Sequence, residues 1–187
     1  MRILWVLGLI AGCLSACDFT QNLGSDDVSD QLKVVIIRHG EKPADGDNLS
    51  CQGQNRALQL PKVLIKKFNR PDDVYVPSLN MGKETTHARM LQTVTPLAIQ
   101  YNLKINSKYA AKDFEKITQE ILKKRGTTLM VWEHSAIHDL AKALGVQHAP
   151  KWQDEDFDSI WVIQFLKGKA SLTIDHEQLT PSTVCGF

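Results

Sequence analysis

An α/β layered domain built on a mainly parallel sheet is what this sequence predicts, and three observations carry the prediction. Val34-Val35-Ile36-Ile37 is a run of four β-branched apolar residues, the pattern of a strand buried on both faces. Downstream, short apolar runs alternate with stretches of helical periodicity, the order that builds a parallel sheet with helices packed on it. The chain of 187 residues is enough for one domain with a real core and too short for two comfortable ones.

The N-terminal residues stand apart from that domain. Met1-Arg2 is a short positive start, Ile3 to Gly12 is an apolar run too short to span a bilayer as a stable helix, and small residues follow. Residues 1–16 therefore read as an export signal and are left out of the fold. Residues 17–31 are polar, lack a sustained apolar period and read as a tether, so the domain is expected over 32–187.

The elements follow in order. After the first strand, Ser50 is a candidate N-cap for a helix in which Ala57, Leu60, Leu64 and Phe68 recur at helical spacing, with Pro61 expected to kink or split it. Val74-Tyr75-Val76 is a second strand, and Glu84 to Tyr101 carries a helical stripe at 91, 94, 98 and 101 despite Pro96. Lys104 to Asn106 is a third short strand. Asp113 is expected to cap a helix whose Phe114, Ile117 and Ile121 face the core and which ends before Gly126. Thr127 to Trp132 is a strand, followed by Glu133-His134 and a helix with Ile137, Leu140, Ala141 and Leu144 on one face, closed by Gly145. Ile160 to Leu166 and Ala170 to Ile174 complete the sheet as a hairpin over Lys167-Gly168-Lys169.

Composition excludes some classes of function. The 43% hydrophobic and 23% charged content is ordinary for a globular protein. Without residues 1–16 the chain loses Arg2 and no acid, leaving 22 − 1 = 21 basic against 21 acidic residues. A neutral balance with no basic run argues against nucleic acid and broad anionic-membrane binding. The four cysteines and six histidines include no pair at zinc spacing with a second pair downstream, so no metal and no cofactor is expected.

The chemistry is expected where the first strand ends. Open α/β sheets bind ligands beyond the carboxyl ends of their strands, and what arrives there is Arg38-His39-Gly40. A guanidinium forks onto phosphoryl oxygens and leaves a neighbouring imidazole nitrogen free to attack phosphorus. His39 is expected at a solvent-facing strand end, with Gly40 permitting a sharp turn. The strand from Thr127 should deliver His134 to the same end, where a helix beginning at Ser135 offers unpaired N–H groups to an anion.

Arg38-His39-Gly40-Glu41 resembles the signature of the histidine phosphatase superfamily, the phosphoglycerate mutase-like fold in which a histidine is transiently phosphorylated. Leu49-Ser50-x-x-Gly53-x-x-Arg56-Ala57 resembles the segment that follows that signature, Arg89-x-x-Gln92-Thr93 its second-arginine segment, and Glu133-His134 its second histidine. The family tends to place a serine four residues before the second arginine. Thr85 stands there in this chain and Ser78 lies eleven residues upstream, so the loop from Pro77 to Glu84 is longer than usual.

The resemblance implies a three-layer α/β/α sandwich and a metal-independent phosphomonoester hydrolase. In it His39 is the nucleophile, and Arg38, Arg89 and His134 hold the equatorial oxygens. The acid that protonates the leaving oxygen is Glu133 by proximity to the bound phosphate; the commoner family position, after the third strand, offers Asp113 or Glu115 instead. Glu41 and Lys42 either orient the first loop or form a surface ion pair. A phosphomutase, or a phosphoryl-binding lipoprotein without turnover, is the alternative reading.

Leu14-Ser15-Ala16-Cys17 resembles the lipobox of bacterial lipoproteins, which implies an acylated Cys17 and a domain anchored in the envelope, facing the periplasm; the alternative is a plain signal peptide cut nearby. Asp18 resembles the residue associated with inner-membrane retention. The partners implied are a small-molecule or envelope phosphomonoester and, through the lipid only, the membrane. Cys51 and Cys185 remain, as one disulfide in an oxidising space or as two free thiols.

Overall fold

The first strand, β1 (Leu32–Arg38), shows why the domain has layers. Its side chains alternate between two apolar clusters: Val34 and Ile36 enter one, Val35 and Ile37 the other, and all four are buried. A strand with no wet face needs helices on both sides. The computed structural model describes residues 31–79 and 86–186. The segments expected as an export signal (1–16) and a tether (up to residue 30), with Cys17 and Asp18, lie outside the described residues, as do Glu84 and Thr85. No described helix is long and apolar enough to cross a membrane.

The remaining elements are α1 (Cys51–Phe68), β2 (Asp73–Tyr75), α2 (Ala88–Tyr101), β3 (Ile105–Asn106), α3 (Phe114–Ile121), β4 (Gly126–Trp132), α4 (His134–Ala143), β5 (Ser159–Leu166) and β6 (Lys169–His176). They form a six-stranded sheet in the order β3-β2-β4-β1-β5-β6. The first four strands in that order pair in parallel, and β5 and β6 add an antiparallel hairpin beside β1. On one face Ile117 and Ile121 of α3 and Ile137 and Leu140 of α4 pack with Met130 and Trp132. On the other, Leu60 and Leu64 of α1 and Met90, Val94 and Leu97 of α2 pack with Leu129 and Val131. The three-layer sandwich expected from the resemblance is the fold observed.

Several local expectations need correction. Pro61 neither ends nor splits α1, which runs unbroken for 18 residues. Proline costs that helix the hydrogen bond to the Ala57 carbonyl, and its ring is buried beside Leu60 and Leu64. Asp113 occupies the N-cap of α3 but makes no capping hydrogen bond; its Oδ2 accepts from Lys116 Nζ at 3.1 Å. Ser50 does cap α1, accepting from Gly53 N–H at 3.2 Å. The second helix begins at Ala88, after His87 in a left-handed conformation (φ 58°). His134 is itself the first residue of α4, with Glu133 at its N-cap.

Cys51 and Cys185 are joined as a disulfide across 134 residues, so the open alternative resolves toward the bridge. It holds the C-terminal tail against the start of α1, where Asn55 Nδ2 also donates to the carbonyls of Ser182 and Val184, each at 2.8 Å.

Candidate active site

Register brings the two histidines together. In the parallel β1–β4 ladder Arg38 stands opposite Trp132, and His39 N–H extends the ladder by donating to the Trp132 carbonyl at 3.1 Å. The residues that leave the sheet side by side are therefore His39 from one strand and Glu133 with His134 from the other. This is the carboxyl end of the parallel strands, where strand order reverses and ligands bind.

His39 is 3% exposed, not the solvent-facing residue expected. Its Nδ1 lies 2.7 Å from the Gly40 carbonyl. A carbonyl only accepts, so Nδ1 carries the proton and Nε2 keeps a free lone pair in the neutral ring. Burial pushes the imidazole pKa down to about 4, and the fields of Arg38, Arg89 and His134 push the same way, against the opposing Gly40 hydrogen bond. Burial is the larger cause.

The loop that carries His39 is built backbone against backbone. A Cβ on Gly40 would lie 2.8 Å from the Gly53 carbonyl oxygen, and one on Gly53 only 2.2 Å from the Glu41 carbonyl oxygen. Gly40 is thus required by this close approach to α1, not by a turn; its φ is not positive. The segment from Arg89 explains its own spacing. Thr93 Oγ1 accepts from Gly40 N–H at 2.9 Å, and Gln92 Oε1 accepts from Leu49 N–H at 3.0 Å, so two consecutive side chains of α2 pin both ends of the loop. One turn earlier, Arg89 Nη1 reaches the Gly46 carbonyl at 3.2 Å and Asp47 at 3.7 Å.

Glu41 is no surface ion-pair partner. Arg56 Nε and Nη2 donate to its carboxylate at 2.7–3.1 Å, and Arg56 Nη1 pairs with Glu177, which is 2% exposed. Burial pushes the Glu177 carboxyl up to about 8 against the pull of Arg56. Arg56 stood in a recognisable segment of the sequence, but nothing local signalled Glu177, 121 residues away.

A second contribution missed from sequence is the acidic loop Asp154-Glu155-Asp156-Phe157-Asp158, whose density of carboxylates just before β5 was the available signal. Arg38 Nη1 donates to the carbonyl of Asp154 and, at 3.2 Å, to that of Asp156. Its guanidinium lies 3.8 Å from the centre of the Phe157 ring. Burial lowers the Arg38 pKa to about 10, while the nearby carboxylates of Asp154, Asp156 and Glu155 oppose the shift. Asp154 Oδ1 is also 3.3 Å from His134 Nε2. Burial, followed by the field of Arg38, lowers the His134 pKa.

Five buried side-chain polar atoms among the described residues have no hydrogen-bond partner, and three of them are Arg38 Nε, Arg89 Nε and His134 Nδ1. Native interiors leave few such atoms, and a cluster of them calls for a physical reason. The expected acid candidates differ in their surroundings. Glu133 is half-buried next to His134 and makes no capping bond. Asp113 is paired with Lys116, and the exposed Glu115 accepts from Gln119. Among the described residues no group of three or more His, Cys, Asp or Glu side chains could hold a metal ion.

The sheet order, the two helix layers and the strand-end placement define a phosphoglycerate mutase-like fold. Solved structures share it. The protein histidine phosphatase SixA complexed with tungstate superposes with a TM-score of 0.60 at 14% identity, covering 78% of this chain and 97% of that one. Phosphoglycerate mutase from Bacillus anthracis gives 0.54 at 15% identity, covering 79% and 94%. A mycobacterial glucosyl-3-phosphoglycerate phosphatase with inorganic phosphate gives 0.53 at 14% identity, covering 79% and 99%. No family model matches the sequence and no curated protein is similar to it, so the likeness is one of fold.

Proposed function

We propose that this protein is a metal-independent phosphomonoesterase that works through a phosphohistidine at His39. The observation that carries the reading is the cluster of buried, unpartnered nitrogens on Arg38, Arg89 and His134 around a buried imidazole with a free Nε2. Such nitrogens suit the oxygens of a phosphoryl group. The fold neighbours include proteins named as phosphatases, one bound to inorganic phosphate and one to the tetrahedral oxyanion tungstate.

The steps follow from charge. His39 Nε2 attacks phosphorus in line while the P–O bond to the leaving group breaks. The two arginines and His134 stabilise the negative charge on the equatorial oxygens. An approaching phosphoryl dianion raises the proton affinity of His134, which turns it into a double donor at the moment it is needed. Glu133, half-buried beside His134, gives a proton to the departing oxygen as the P–O bond breaks. Water then attacks the phosphohistidine and gives a proton to the Glu133 carboxylate, the P–N bond breaks, and phosphate leaves with His39 neutral and Glu133 restored.

Two variants test this reading. His39→Ala should abolish turnover of an aryl phosphate without added metal, and acid-labile phosphate from labelled substrate should appear on wild-type His39; substantial residual turnover in the variant refutes the mechanism. Glu133→Gln should slow alkyl phosphates far more than aryl phosphates, whose leaving oxygen needs no proton. Equal losses on both, with the selective loss in Asp113→Asn or Glu115→Gln, would move the acid to the segment around α3.

A further inference from the structure

A cleft of about 660 Å³ opens beside the end of β1 and is lined by Arg38, by the Glu41–Ala44 segment and by the acidic loop. Its volume lies in the range of small-molecule sites. Arg38 ties it to the phosphoryl position: this side chain is 3% exposed, lines the cleft and carries the unpartnered Nε. Phe157 forms the join, stacked on Arg38 and with its ring centre 6.3 Å from that of His39. A phosphomonoester whose phosphoryl group sat on Arg38 would extend its leaving group into this cleft.

The charge of the lining is unbalanced. Arg56 and Glu41 neutralise each other through their multiple hydrogen bonds. With Arg38 assigned to the phosphoryl group, what remains is Asp154, Glu155, Asp156 and Asp158 against Lys42; Asp154 lies 3.3 Å from His134 and Asp158 3.3 Å from His176, which leaves Glu155 and Asp156 as the carboxylates of the wall without an ion pair among the described residues. The loop holding them is fixed: Asp156 Oδ1 accepts from the N–H groups of Asp158 and Ser159 at 2.9 Å, and Asp158 Oδ1 accepts from Leu179 N–H at 3.3 Å. The carboxylates do not converge as a metal cage, since no group of three or more potential ligands among the described residues could hold an ion. Carboxylates spread along a wall suit an organic cation.

We propose that this cleft selects small phosphomonoesters whose leaving group carries a positive charge, an aminoalkyl phosphate or its guanidino equivalent. The inference rests on the phosphatase reading and deepens it. The cation takes no part in the reaction; it is held while the P–O bond breaks, the leaving oxygen gains a proton and water supplies hydroxide to phosphorus. A neutral or anionic leaving group of the same length meets the acidic wall without compensation.

The test compares kcat/KM for aminobutyl phosphate, butyl phosphate and the carboxylate-bearing ester of equal length, whose leaving oxygens are of similar basicity. The expected order is ammonium, neutral, carboxylate, with a step of roughly fivefold from neutral to ammonium, the size of one or two partly solvated charge pairs. Glu155→Gln should lower the ammonium-to-neutral ratio, Lys42→Gln should raise it, and added salt should compress it. Equal or reversed rates overturn the inference and leave the phosphatase reading standing. Turnover of none of the three esters fails the phosphatase reading; calorimetric affinities for the same esters then decide, the ammonium-first order upholding the cleft's charge selection and any other order overturning it.

Discussion

Gly53→Ala puts the argument about the His39 loop to a quantitative test. In an ordinary helix this change stabilises by about 1 kcal/mol, because alanine loses less backbone entropy. Here the added Cβ would fall 2.2 Å from the Glu41 carbonyl oxygen and 2.7 Å from its nitrogen. Contact distances are roughly 3.5 Å, so the loop or the first turn of α1 must move by about 1 Å. The backbone that moves is joined to His39 through Gly40, and it also accepts from Ser50 N–H at 2.9 Å. A displacement of about 1 Å at a reacting group costs on the order of a hundredfold in rate, and overpacking costs about 1–3 kcal/mol in stability. The variant should therefore show kcat for an aryl phosphate reduced by about two orders of magnitude and a lower urea midpoint. Turnover within twofold of wild type, with a raised midpoint, would refute the claim that Gly53 is there to let the signature loop approach.

Two further outcomes follow from the disulfide and from His39. Closing 134 residues is worth up to about 5 kcal/mol on the chain-entropy model, so the Cys51→Ala/Cys185→Ala protein should lose roughly 2 M of its urea midpoint; an unchanged midpoint would show that the bridge holds nothing the rest of the tail does not. Because His39 is held down to about 4 by burial, only the unfolded chain takes up its proton between pH 6.5 and about 4, so this contribution to stability is full above 6.5 and is lost as pH falls through that window. His39 stays neutral over the same range, and on the proposed mechanism the acid limb of kcat/KM that belongs to it should lie near pH 4; a limb at the ordinary histidine value assigned to His39 by titration would contradict the burial.

Much of the fold was legible in the sequence. Val34 to Ile37 announced a strand covered on both sides, because four apolar residues in a row leave neither face of a strand for water, and the alternation after it announced the layers. The placement of His39 and His134 at one end of the sheet was legible for the same reason: His39 directly follows β1, and His134 follows β4 after Glu133. Pro61 was expected to kink or split α1 and does not split it; local chemistry prices its lost hydrogen bond but not the apolar burial of its ring, which depends on what α1 packs against. The roles of Glu41 and Arg56 depended on Glu177, and the hold on Arg38 depended on the Asp154 loop, contacts that each span more than a hundred residues; His134 meets the same loop from nearer in the chain, and no local pattern encodes any of the three. Local periodicity and the residues at strand ends were set by the chain itself. The burial that lowers the His39 pKa, the glycine-to-glycine approach and the acidic wall beside Arg38 arise only when distant segments share one volume, because burial and charge are properties of neighbours in space.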